Sequence, residues 1–306
     1  MKRSIRLAAI LASLSLVLAM VSAWSGPAAG AESRRSVLLL SFNDSTLELD
    51  PVTGQVGPQI ANGADGVFAP NRTRIAYTRD TNPCAITMFG LCWETRDLLI
   101  ADAAGAGERA LIETDSSNYF SPNWSPDGSR ILYSFANLPG DGQGLAWVRP
   151  DGSGTETLKF DGWFGRFSPD GKRIAYMDLI SREIHVMNVT THASTALTTG
   201  GTDVNSAPDW SPDGRRITYT NSQGVHVVDA RTGVSVNLTQ GWTTPASNFD
   251  QPVFSPDGNE IAFAAFDESA LPEGEIVARI YVVSASGGEP RVVADQNGYL
   301  TDWVRL

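Results

Sequence analysis

Trp210-Ser-Pro-Asp-Gly214, followed by Ile217-Thr-Tyr219, is the stretch whose reading decides the fold, because it recurs. Trp124-Ser-Pro-Asp-Gly128 precedes Ile131-Leu-Tyr133, Phe167-Ser-Pro-Asp-Gly171 precedes Ile174-Ala-Tyr176, and Phe254-Ser-Pro-Asp-Gly258 precedes Ile261-Ala-Phe263. The anchoring aromatics at 124, 167, 210 and 254 are 43, 43 and 44 residues apart. A degenerate copy, Phe68-Ala-Pro-Asn-Arg72, stands before Ile75-Ala-Tyr77, and Asp302-Trp303 starts a further copy. In each copy an aromatic ends one strand and Pro presets φ. Asp then bonds its own backbone and Gly accepts a positive φ, so the chain reverses into an antiparallel partner.

A second block keeps the same register: Leu98 to Asp102, Leu145 to Arg149, Ile184 to Asn188, Val225 to Asp229 and Ile280 to Ser284. Each leads through a turn into another short strand, as at Asp229-Ala-Arg-Thr-Gly233 before Val234, so each repeat is four strands. Four-stranded units of about 45 residues, none able to bury its own faces, are blades of an all-β propeller. The copies predict a six-bladed β-propeller of four-stranded antiparallel blades. Residues 36–59 supply three strands that lack a first, and 299–306 a first strand that lacks successors, so a blade shared between the N- and C-termini closes the ring and removes its open edges.

The surrounding composition fits one such domain. The 306 residues are 42% hydrophobic and 19% charged with a net charge of -11, too apolar for a disordered chain and too acidic for nucleic acid or anionic membrane surfaces. Lys2, Arg3 and Arg6 precede an apolar run from Leu7 to Val21 and the small triplet Ala29-Gly-Ala31, the three parts of a secretory signal. We expect residues 1–31 to be removed as a signal peptide, or to persist as an anchor, leaving 32–306 as a single propeller domain in a secreted or periplasmic protein. Removal leaves 20 basic and 34 acidic residues, 20 - 34 = -14.

The repeated Trp/Phe-Ser-Pro-Asp-Gly with its Ile-x-aromatic strand resembles the propeller repeat of the TolB-like proteins, the periplasmic component of the Tol-Pal system, over residues 36 to 306. That resemblance implies a TolB-like propeller and a protein partner at the cell envelope. Similar repeats occur in propellers of prolyl-oligopeptidase-type hydrolases and in oligogalacturonate lyases, so it implies neither binding nor catalysis by itself.

Spacing selects a face. From the anchor aromatic to the start of the third strand the separations are 30, 21, 17, 15 and 26 residues (Phe68 to Leu98, Trp124 to Leu145, Phe167 to Ile184, Trp210 to Val225, Phe254 to Ile280), whereas the Ser-Pro-Asp-Gly turn does not vary. Variable connections on a rigid scaffold are where binding resides, so the loop-rich face is the expected binding face. Just before each anchor, Tyr119, Phe120, Trp163, Phe164, Asn205, Phe249, Asp250 and Tyr299 occupy nearly equivalent positions and are expected at the rim of the channel mouth. Apolar rings with polar tips suit a peptide or sugar; the other reading of these aromatics is packing between blades. The longest insertion contains both cysteines, Cys84 and Cys92, which are expected to form a disulfide, the alternatives being free thiols or a metal site.

No Gly-x-Ser-x-Gly elbow occurs. His185 and His226 share one strand column, His192 falls in a turn, and the aspartates of the Ser-Pro-Asp-Gly turns belong to separate blades. Neither a catalytic set nor a metal set is read here, and no cofactor is expected. The sequence therefore points to an exported, monomeric, non-catalytic scaffold for a protein or peptide partner. A carbohydrate- or peptide-acting lyase or hydrolase with its site at the channel mouth is the alternative.

Overall fold

The structure is a computed structural model describing residues 36–88, 91–137, 142–200, 207–242, 246–267, 277–296 and 298–306. The signal segment 1–31 and Asn205 lie outside the described residues, as do the side chains of Cys84 and Cys92. Among the described residues no helix is long and apolar enough to cross a membrane.

In chain order the strands are β1 (Ser36–Phe42), β2 (Ser45–Leu49), β3 (Val56–Ala61), β4 (Ala64–Phe68), β5 (Arg74–Met88), β6 (Leu91–Asp102), β7 (Arg109–Ile112) and β8 (Ser117–Trp124). They continue as β9 (Ile131–Asn137), β10 (Gln143–Val148), β11 (Glu156–Phe160), β12 (Gly162–Phe167), β13 (Arg173–Asp178), β14 (Glu183–Asn188), β15 (Ser194–Ala196) and β16 (Asp209–Trp210). The last are β17 (Arg216–Asn221), β18 (Gly224–Asp229), β19 (Ser235–Asn237), β20 (Ala246–Phe254), β21 (Glu260–Asp267), β22 (Val277–Ser284), β23 (Arg291–Ala294) and β24 (Tyr299–Arg305).

These strands build an all-β propeller of antiparallel four-stranded blades. β12 to β15, β16 to β19 and β20 to β23 each form a four-stranded sheet in chain order. β24, β1, β2 and β3 form another, with Leu38 opposite both Trp303 and Leu49. An eight-stranded sheet holds β4 to β7 and β8 to β11, joined by one parallel pairing of Arg96 with Asn118. The first strands pack on one another in the series β4, β8, β12, β16, β20, β24, with β24 also against β4.

The repeat explains the local structure bond by bond. In each complete turn the Ser hydroxyl donates to the Asp carboxylate at 2.6 Å, from Ser125 to Asp127, Ser168 to Asp170, Ser211 to Asp213 and Ser255 to Asp257. The Gly backbone N–H reaches the Ser carbonyl at 2.8 Å, with φ between 68 and 73° at Gly128, Gly171, Gly214 and Gly258. The serine hydrogen bond, then the backbone donors, hold all four carboxylates below their ordinary range. The anchors tie neighbouring blades: Trp124 Nε1 donates to the Val67 carbonyl and Trp210 Nε1 to that of Arg166. Arg173 lies over the Trp210 ring at 4.5 Å and donates to the Gly214 carbonyl, and Arg216 repeats this with Phe254 and Gly258.

Because each sheet is apolar on both faces, the core lies between sheets. Tyr176, Met187 and Ile174 pack with Leu132, Leu145 and Trp147 of the preceding blade, and Leu38, Leu300 and Trp303 with Val253, Ala262 and Ile280.

One expectation changes form. The longest insertion, read as a loop, is an extension of the β5–β6 hairpin, with Asn82 opposite Thr95, Ile86 opposite Trp93 and Met88 opposite Leu91. Thr81, Ile86, Thr87, Trp93 and Thr95 favour the pleat, and the register breaks between Asn82 and Ile86, where Pro83 cannot donate to a ladder.

Candidate binding site at the channel mouth

The first strand of a blade does not run straight. It carries a bulge three to four residues before its anchor. The register shifts between Ala64 and Val67, Phe120 and Asn123, Trp163 and Arg166, and Asp250 and Val253. Asp65, Ser121, Phe164 and Gln251 take φ of 59, 50, 58 and 41°, a region that side-chain-bearing residues seldom enter. The backbone groups freed by the bulge are caught by side chains. Ser121 N–H donates to Asp65 Oδ2 at 3.0 Å, Phe164 N–H to Ser134 Oγ at 2.9 Å and Asp65 N–H to Ser41 Oγ at 3.2 Å, while Thr220 Oγ1 donates to the Phe249 carbonyl at 2.9 Å.

The side chains at and beside these bulges form two unlike sets. On β8 and β12, Phe120 meets Trp163 edge-on at 5.3 Å and Phe164 at 5.8 Å, and Trp163 meets Phe164 at 6.1 Å. All three rings are half-buried, and Trp163 Nε1 is shut from solvent without a hydrogen-bond partner among the described residues. The other set is ionic. Arg96 pairs with Asp80, and Tyr299 shares its hydroxyl with Ser41 and Asp65. Burial, followed by the Asp65 charge, raises the Tyr299 phenol. Burial opposes the Arg96 charge, but Tyr299, Asp80 and Asp65 together outweigh it and hold the guanidinium above its usual range. Asp44, in the turn after β1, is raised by burial and by Asp80. Asp250 is pushed up to about 6 by burial, against a 2.8 Å bond accepted from the Gln251 N–H.

The expected rim residues separate by environment. Phe120, Trp163, Phe164, Asp250 and Tyr299 stand at the bulges. Phe249 is buried among Trp242, Phe263 and Tyr281, with ring separations of 6.1 Å to the first two. Tyr119 packs on the core around Trp124, edge-on to Tyr133 at 5.5 Å. Asn205 lies outside the described residues. The histidines are spent locally: His226 Nε2 meets Asn221 Oδ1 at 3.0 Å and stacks on Tyr219 at 5.0 Å, and His185 Nε2 meets Ser181 Oγ at 3.1 Å. Burial lowers both imidazoles below their usual range.

The sequence profile of the TolB beta propeller domain matches residues 164–303. The Tol-Pal system protein TolB of Francisella tularensis subsp. mediasiatica is 28% identical over 237 residues, 74% of this chain and 51% of that protein. TolB from Acinetobacter baumannii superposes with a TM-score of 0.64 at 19% identity over 90% of this chain and 67% of that one. The chain is similar to the TolB propellers. An uncharacterised Agrobacterium fabrum protein is also 28% identical, over 181 residues covering 57% of this chain and 60% of that protein. This TolB-like chain thus spans roughly half to three-fifths of the length of those two relatives.

One set of first-strand residues escaped the sequence reading. The position just before each anchor holds Val67, Asn123, Arg166, Asp209, Val253 and Asp302. Asp209 Oδ2 accepts the Phe254 N–H at 2.8 Å and Asn123 Oδ1 the Phe167 N–H at 2.9 Å, each from the following blade. Desolvation, then the neighbouring Asp302, lifts Asp209 to about 7 against the pull of Arg166. The signal was present in the alignment of copies: charged residues in a column of otherwise apolar strands.

Proposed function

We propose that this chain is an exported six-bladed ring, closed through the β24–β1 pairing, that captures a protein or peptide segment at the loop-rich mouth. The observation that carries the reading is the presence there of an aromatic arc, Phe120, Trp163 and Phe164, and an ionic arc of Arg96, Tyr299, Asp80 and Asp65. One arc supplies apolar area and the other orientation, the division of labour of a binding mouth. The continuous packing series of first strands supports the ring, and the segment 1–31 supports export from the cytoplasm. Relatives named as Tol-Pal system proteins favour an envelope partner. A Cys84–Cys92 disulfide would staple the β5–β6 extension of the same face.

Charge narrows the partner. Between strands two and three, and between blades, the described connections carry Asp44, Glu113, Asp115, Asp161 and Asp295 against Arg182. The opposite face carries eight acids (Asp50, Glu108, Asp127, Asp151, Asp170, Asp213, Asp257, Glu289) against six bases (Arg72, Arg130, Arg149, Lys172, Arg215, Arg231). Five to one against eight to six makes the loop-rich side the one that attracts a basic segment.

A photo-reactive residue at position 163 is expected to cross-link one defined envelope protein, and the same probe at position 170, in a turn of the other face, none. Equal labelling from both positions overturns the reading. Asp250, near 6 in half-buried surroundings, favours one second reading, an enzyme acting on carbohydrate or peptide. Turnover of such a substrate that is lost in Asp250→Asn would establish it.

A further inference from the structure

A cavity of about 220 Å³ opens on the turn side, away from the mouth described above, walled by Val67, Trp124, Val304, Arg72, Asn123 and Asp302. Its most telling wall is Arg72. In the four complete repeats this position is glycine, at φ near +70°; here an arginine is held at φ 56°, a conformation unfavourable for any residue with a Cβ. Its Nη1 is closed off from solvent and has no hydrogen-bond partner among the described residues. Burial pulls the guanidinium below its usual range, with Asp302 as the opposing charge. A strained backbone and an unsatisfied donor at one residue are both costs, and the turn has no need of either.

The remaining walls define what would satisfy that donor. Asn123 spends its Oδ1 on the Phe167 N–H, which leaves its amide nitrogen as a second donor. Asp302 accepts the Trp303 N–H through Oδ1 and presents the acceptor of the cavity. Val67, Val304 and Trp124 supply an apolar wall, and the volume equals about seven shares of liquid water at ~30 Å³ each.

We propose that this cavity binds a small zwitterion of the α-amino-acid class with a short apolar side chain. Its carboxylate lies on Arg72 and Asn123, its ammonium on Asp302 and its side chain against Val67 and Val304. Valine titrated calorimetrically into the full chain is the test, beside isobutyrate and isobutylamine, which each lack one of the two charges. Valine is expected to bind at least about ten-fold more tightly than either, one charge-assisted hydrogen bond being worth that much. Arg72→Gly restores the residue of the other repeats, so it is expected to keep or raise the melting temperature while abolishing valine binding; Asp302→Asn is expected to weaken it. No valine binding, equal binding of isobutyrate, or undiminished binding by Arg72→Gly each overturns the proposal.

Discussion

The two faces of this propeller are made by opposite means. On the turn side, four copies of one clasp agree to within 0.1 Å in the Ser–Asp bond and 5° in the glycine φ. On the loop-rich side the described connections between strands two and three run from two residues after β1 and β17 to four after β13, and what repeats is a backbone bulge whose freed groups find a different side chain each time: Asp65, Ser134, Ser41 or Thr220. Identical short turns hold the blades in register, and that rigidity frees the other face to vary. The turn at 69–72 is the exception on the regular side. It lacks the Ser–Asp clasp, carries an arginine where glycine belongs, and borders the cavity.

The strongest way to break this contrast is to remove an anchor. Trp210→Ala deletes a ring 4% exposed, with its bond to the Arg166 carbonyl and its stack under Arg173, and should cost about 3–5 kcal/mol in denaturant unfolding. Trp163→Ala, a half-buried ring at the mouth, should cost well under half of that. Equal losses would mean that the mouth aromatics are structural.

Next in size is pH. Asp209 and Asp250 have folded values raised to about 7 and about 6 from 3.8, so the folded protein holds protons that the unfolded chain has released. Their contribution is fully present below pH 3.8 and is lost as pH rises through the folded values. Each therefore lowers stability by up to about 1.4 kcal/mol per pH unit inside its window. The clasp aspartates have the opposite sign, because their lowered values give stability that appears above 3.8 and is lost in acid. Asp209→Asn should flatten the decline between pH 4 and 7 in thermal melts; an unchanged slope would contradict the buried, charge-coupled setting of Asp209.

Smaller still, Asp127→Ala, Asp170→Ala and Asp213→Ala should each cost about 1 kcal/mol, with values alike among the three because the clasps are alike. A spread larger than that mean would show that the blades are not equivalent. Last, partner capture at the mouth should weaken several-fold between 50 and 300 mM salt, whereas valine binding in the turn-side cavity should change little.

The regular side is legible in the sequence because its chemistry is local. Ser125, Asp127 and Gly128 meet within four residues, so pattern and geometry coincide. The mouth was half legible. Phe249 and Trp163 stand at nearly equivalent repeat positions, yet Phe249 is buried against Trp242 and Phe263 while Trp163 is half-exposed. The difference comes from strands two and three of the blade that carries Phe249, whose Phe263 and Tyr281 cover the ring, and from Trp242 in the connection before it. The hairpin extension of β5 and β6 was misjudged as a loop because strand pairing between residues so close to a turn depends on both partners staying extended.

Sequence alone determined the blade: its four strands, its turn and its anchor, since a period near 43 residues and the Ser-Pro-Asp-Gly dihedrals leave little else to build. Tertiary structure decided what sits beside what. Arg166, Asp209 and Asp302 come from blades far apart in the chain and become one charge system only where the first strands converge. Arg72 becomes a cavity wall only because Asn123 and Asp302 are brought to it. Desolvation and Coulomb forces act through space, so no spacing in the chain could announce them.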